Sequence, residues 1–276
     1  MNGSKRSWNR YWTLGSLAVI FAAAAAAMAI GRFTIAPKEL AAVLIPGSFP
    51  DVQVSGQVRT VISNIRFPRV VLALLSGAGL AAAGAAFQGL FANPLATPDT
   101  LGAANGASFG AVLGILLGLP AFGIQTLAMI TGVAAVLMAW SVAQVRGTIP
   151  PLMVILAGMV VSSLFSALVS LVKYAADPQD VLPSITYWLM GSMASTTRTT
   201  LLMGAPFIIA GSLLLFLLRW KLNTMSLPED EAKSLGIPVK RIRSLVILGA
   251  AMVTAAVVSM CGQIGWIGLL IPHMVR

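Results

Sequence analysis

The chain has few charged residues, one cysteine and one histidine. Of 276 residues, 9% are Asp, Glu, Lys or Arg, against 58% hydrophobic. Soluble domains carry about 25% charged residues, so this deficit places most of the chain in lipid. The mean hydropathy of +0.90 agrees. The single Cys261 excludes an intramolecular disulfide and any Cys-pair metal site, and in its apolar run it reads as a small packing residue. One histidine, His273, does not make a metal site. No Gly-rich loop ending in Lys-Ser or Lys-Thr is visible, so the chain is not expected to hydrolyse nucleotide. The carboxylates are Glu39, Asp51, Asp99, Asp177, Asp180, Glu229, Asp230 and Glu231, all in or beside predicted loops. Intramembrane ionisable groups mark proton relays and ion pathways, and none is expected here. Any energy that the chain's work requires is then expected from elsewhere, for example a nucleotide-hydrolysing partner. No cofactor and no nucleic-acid partner is expected, and no catalytic constellation supports an enzyme.

What is present is a series of apolar runs. A spanning helix needs about 20 mostly apolar residues, and helices satisfy their backbone groups internally, as lipid demands. The candidates are Thr13–Gly31, Val70–Leu90, Ala104–Leu119, Gly123–Val145, Leu152–Tyr174, Leu201–Leu218 and Ser244 to roughly Gly265, with a stub after Trp266. The fold class is therefore all-α: a polytopic membrane bundle with about seven spans, some short, in a single domain over residues 1–276. Lys5, Arg6 and Arg10 ahead of Ala27-Met28-Ala29 resemble a signal peptide. The apolar stretch between them is long for one, which favours an uncleaved first helix.

Basic residues favour the cytoplasmic side. With the N-terminus inside, the inside set is Lys5, Arg6, Arg10, Arg146, Arg219, Lys221, Lys233, Lys240, Arg241 and Arg243. The outside set is Arg32, Lys38, Arg59, Arg66, Arg69, Lys173 and Arg198. The loop Arg32 to Arg69 carries most of the violation. Either an acidic soluble partner meets it, or it is a loop translocated regardless of charge.

Several segments break the helical pattern. Span two contains Gly77, Gly84 and many alanines, which allow close helix packing. Asn93, Pro94 and Pro98 are poor helix continuers, and the Gly-rich Leu101–Gly110 follows. Unwound backbone occurs at depth where protein or water surrounds it, and transporters use it near their substrate path. A plain cytoplasmic turn also accounts for Asn93 to Asp99. Gln88 and Gln263 are polar residues near apolar spans, where bonding to a neighbouring helix is the commoner role. Between spans six and seven, Pro228 with Glu229, Asp230 and Glu231 suits a helix start, and Gly236 with Pro238 suits its end. A second short helix is expected near Val239. This loop either sets topology as a solvated basic segment or forms a rigid docking knob.

Taken together, the chain resembles the FecCD-type permeases of ABC importers for iron–siderophore, haem and cobalamin. The resemblance rests on Arg66-Phe-Pro-Arg69, the Gly-rich run to Gln88, Asn93-Pro-Leu-Ala96 with Pro98 and Leu101-Gly102, and Leu156-Ala-Gly158. It continues with Tyr187-Trp-Leu-Met-Gly191, Glu231-Ala-Lys-Ser-Leu-Gly236, and Gly265-Trp-Ile-Gly-Leu-Leu-Ile-Pro-His273 with Arg276. It implies a multi-pass permease of the bacterial inner membrane with its N-terminus cytoplasmic. The implied partners are a second permease subunit, two cytoplasmic ATPases, an extracytoplasmic binding protein and membrane lipid. By match, Arg66 and Arg69 meet carboxylates of the binding protein. Glu231, Ala232, Leu235 and Gly236 form the ATPase docking loop. Gln88, Asn93, Pro94 and Pro98 mark a helix break at the translocation path. Family members have about ten spans, so two or three C-terminal helices are expected to be missing. The function so implied is uptake of an iron–siderophore or related metal chelate; the alternative is an ATP-independent carrier or channel.

Overall fold

The computed structural model describes residues 2–45, 47, 49–144, 151–225, 229–234 and 236–275, and every regular element among them is helical. Among the described residues, six helices are long and apolar enough to cross a membrane. Contacts divide the chain into two compact units, Met1–Val71 and Leu72–Arg276.

The first unit holds α1 (Asn2–Ala29), α2 (Pro37–Leu44), α3 (Gly56–Thr60) and a π-helical turn, Val61–Arg66. Its core is Met28, Ile35, Leu40, Val58 and Ile62. The ends of α2 and α3 are written locally. Pro37 occupies the first turn of α2, and the Glu39 carboxylate accepts the Ala36 N–H at 3.0 Å. Ser55 caps α3 by accepting the Val58 N–H at 3.2 Å, satisfying one orphan donor of the first turn. The segment read as one loop from Arg32 to Arg69 is thus partly helical. Helix continues unbroken from Gly56 to Leu90, well before the expected start at Val70. Its continuation is α4 (Phe67–Leu90).

The second unit is built round α11 (Val239–Cys261), whose residues from Val253 to Cys261 are all buried. Small residues let neighbours approach its axis. Against it pack α5 (Ala103–Leu116), α6 (Ala121–Val142) and α9 (Arg198–Thr224). Helix α7 (Pro151–Ala175) packs on α5 and α6, α8 (Val181–Leu189) on α5, and α10 (Glu229–Ser234) on α11. The last helix, α12 (Ile267–Val275), follows a break after Cys261. The outward residues of these helices are large and apolar, among them Ile130, Leu137, Val160, Leu171, Leu202 and Leu213. Such a surface is of the kind that lipid or a partner helix covers.

Two expectations change. Ala104–Leu119, read as a span, is the 14-residue α5, and its Gly-rich start is regular helix, not unwound backbone. Gly106, Gly110 and Gly114 recur every four residues and face α6, where a Cβ would overlap Thr131 O, Leu127 O and the Ile124 backbone. Periodic glycine here therefore means close packing. The short helix expected near Val239 is instead the first turn of the 23-residue α11.

Candidate functional site

In the first unit, Arg66 is buried and faces the C-terminal end of α1. Its Nη1 donates to Met28 O at 2.6 Å and Ala29 O at 2.8 Å, and its Nη2 donates to Phe33 O. The last carbonyls of a helix lack intrahelical partners and carry the negative end of its dipole. A guanidinium satisfies both needs. Gly31 allows the approach, since a Cβ there would lie 2.6 Å from Nη2. The expected pair is therefore divided: Arg66 is directed into its own unit, and Arg69, beyond Pro68, is half-buried.

In the second unit, the chain leaving α4 turns sharply. Asn93 Oδ1 accepts the Leu95 N–H at 2.9 Å, Asn93 O accepts the Ala96 N–H at 3.1 Å, and Pro94 is exposed. Pro98 then opens a buried 3-10 turn, Pro98–Leu101, which ends on Gly102 in the left-handed region at φ 82°. That turn rests on α7 at Gly158, where a Cβ would overlap Thr100 O. Asp99 sits half-buried in it, and burial pushes its carboxyl from 3.8 up to about 6. Desolvation disfavours the charged form.

The second irregularity is the break between α11 and α12. Gly262 and Trp266 both have positive φ, 72° and 68°. A bulky residue there is unusual. Gln263 Nε2 donates to Asn105 Oδ1 at 3.2 Å and Ser108 Oγ at 3.0 Å on α5. The Cys261 carbonyl accepts the Ser192 N–H at 2.6 Å. The end of α4 and the first irregular segment both meet α12, the helix that follows the second. A Cβ on Gly84 would overlap the Gly268 carbonyl, and one on Gly268 would lie 3.4 Å from Pro98. Gln88 Nε2 donates to Leu269 O at 3.3 Å. Of the four break residues, Gln88 and Pro98 thus meet α12, while Asn93 shapes the turn and Pro94 faces outward. The bridging role read for Gln88 and Gln263 is what the bonds show. Asn105, Ser108, Gly268 and Trp266 were not singled out as site residues from sequence; the Gly262, Gly265, Gly268 spacing ahead of Pro272 was the available signal.

In the loop before α11, Glu231 and Gly236 are exposed and Ala232 is buried. Gly236 has φ 73° and the Ile237 N–H returns to Ala232 O at 3.1 Å, closing α10 with the usual glycine C-terminal turn. Leu235 lies outside the described residues, as do Pro228 and Arg276.

Comparison with known proteins adds the following. The profile of the FecCD transport family matches residues 17–276. The molybdate import system permease protein MolB of Haemophilus influenzae is 37% identical over 250 residues, covering 90% of this chain and 74% of that protein. A probable iron chelatin transport system permease protein of Helicobacter pylori is 38% identical, covering 78% of this chain and 65% of its own length. The hemin transport system permease protein HmuU of Yersinia pestis is 34% identical, with coverages of 77% and 65%. Among solved structures, an inward-facing conformation of an ABC transporter assigned to the metal-chelate type superposes with a TM-score of 0.82 at 36% identity. It covers 95% of this chain and 79% of the other. Over four curated relatives, the chain spans between 59% and 74% of their length.

Proposed function

Because this chain belongs to the FecCD transport family, we propose that it acts as the membrane permease of an ABC importer for a metal chelate of the iron–siderophore kind. The single observation carrying the cargo class is the likeness, at a TM-score of 0.82 and 36% identity, to a transporter of the metal-chelate type. Relatives named for iron chelatin and hemin support it. The energy source in this reading is a pair of ATPases at the loop holding Glu231, Ala232, Leu235 and Gly236. A second permease subunit completes the path, and the N-terminus is cytoplasmic. On the outer face, Arg69 makes the contact with a binding protein, and Arg66 positions the segment that presents it. The two irregular segments, beside the α4–α12 contact at Gly84, Gly268, Gln88 and Pro98, form the part of the wall that changes shape.

The test is uptake in proteoliposomes holding the permease and its co-expressed ATPase and binding protein. ATP-dependent accumulation of a ferric siderophore, without accumulation of molybdate, is expected. Accumulation of molybdate alone would move the cargo to oxyanions, and uptake indifferent to ATP would replace the importer with a carrier.

A further inference from the structure

In the second unit, α4 and α9 stand apart along part of their length. A groove of about 600 Å³ runs between them. On the α4 side its wall is Ala78, Ala82 and Ala85, whose side chains end at Cβ and leave the space open. On the α9 side the wall includes Ser212 and Phe216, and the groove reaches Arg219. From Ile208 to Leu222 the groove follows α9 for roughly 21 Å at 1.5 Å per residue, passing Arg219 one turn from its end. That is somewhat more than half of the ~30 Å hydrocarbon core, enough to reach from within one leaflet to its headgroups.

The mouth is charged. Arg219 lies with its guanidinium 3.8 Å from the Phe216 ring and 5.5 Å from that of Trp220. Its Nη1 donates to Phe216 O at 2.9 Å. This bond engages one of five N–H donors in a planar fork suited to phosphate. Trp220 is exposed beside it, an aromatic of the kind found at headgroup level.

We infer that the groove binds one phospholipid from the leaflet at the C-terminal end of α9. An acyl chain lies along Ala78, Ala82 and Ala85, and the phosphate sits on Arg219. A bundled helix suits the site less well, because its apolar flank would cover a cation with nothing to pair it. Mostly apolar walls with a single guanidinium near one end match an amphiphile with an anionic head.

The experiment uses the full chain, stripped of lipid in detergent and titrated with phosphatidylglycerol under native mass spectrometry. The wild type binds a first lipid; Arg219→Gln weakens that binding about tenfold, the scale of one charge-assisted hydrogen bond. Ala78→Phe fills the groove and removes the tight site, while circular dichroism and the Gln variant confirm that the bundle is intact. Inorganic phosphate does not compete. Equal lipid binding in all three proteins, or full competition by free phosphate, overturns the assignment. So does a photo-crosslinker at Ala85 that captures polypeptide in membranes and no lipid.

Discussion

Gly84 of α4 and Gly268 of α12 meet backbone to backbone, so that a single methyl on Gly84 would overlap the Gly268 carbonyl. The contact joins α4, which leads into the first irregular segment, to α12, which follows the second. Overpacking of a tight contact costs about 1–3 kcal/mol. Gly84→Ala is therefore expected to lower the unfolding midpoint of the detergent-solubilised protein by several degrees. Gly77→Ala is the control, because a Cβ at Gly77 meets nothing within 4 Å. Equal midpoints for the two variants would count against the packing described.

The two arginines of the Arg-Phe-Pro-Arg segment are expected to fail differently. Arg66→Gln leaves the buried Met28 carbonyl and the partly buried Ala29 and Phe33 carbonyls without their charged donor, and hydrogen bonds to charged groups contribute about 1.5–3 kcal/mol. Stability falls. Arg69→Glu slows association with the binding protein, with the salt dependence lost or reversed. Thermal midpoints and association rates at two salt concentrations separate these outcomes; a slower association for Arg66→Gln at unchanged stability contradicts the division of roles.

Asp99 makes stability depend on pH with a definite sign. Its folded pKa of about 6 lies above the ordinary 3.8, so the folded state holds its proton more tightly. Stability is then highest at low pH and declines as pH rises from about 4 to about 6. Asp99→Asn removes that decline. Above pH 6 the variant is expected to be more stable by roughly 1–2 kcal/mol, below the ceiling set by 1.36 kcal/mol per unit because the group is partly exposed. Midpoints measured from pH 4 to 7.5 test this, and parallel curves for the two proteins would remove Asp99 as the source.

Gly236 turns the chain at φ 73°, with open space around an added Cβ. Its requirement is conformational, at about 1–2 kcal/mol for an L residue in that region. Gly236→Val is expected to insert normally and to lose most of its ATPase association in pull-down. Retention at wild-type level would free this loop from the docking role.

Membrane sidedness is open to direct labelling, since the lone Cys261 is buried. A membrane-impermeant maleimide added outside should reach Ser55→Cys and spare Ser234→Cys, both exposed positions. The opposite pattern would invert the topology.

Long apolar runs were legible because span length and hydropathy are local quantities. The positions of α1, α6, α7, α9 and α11 follow from them within a few residues, apart from the N-terminal extension of α1. Gly106 and Gly110 were ambiguous, since glycine permits unwound backbone and close packing equally, and only the presence of α6 decides. Arg66 was legible as special but not in its role. Its partners lie 33 to 38 residues away, and no local pattern announces three carbonyls at that distance. The Gln263 bonds to α5 span more than 150 residues, a pairing that periodicity cannot reveal.

The clasp made by Arg66 also bears on how this part of the chain can evolve. Doubling the length of a flexible loop costs only about 0.6 kcal/mol in closure entropy. The ends here are held by a guanidinium and a small core of Met28, Ile35, Leu40, Val58 and Ile62. The stretch between α2 and the Val54–Ser55 entry to α3 is therefore free to change in length with little penalty. Paralogous transporters could diverge in outer partner by rewriting that stretch alone, with Arg66 and Gly31 retained as the fixed hinge pin of an otherwise variable surface.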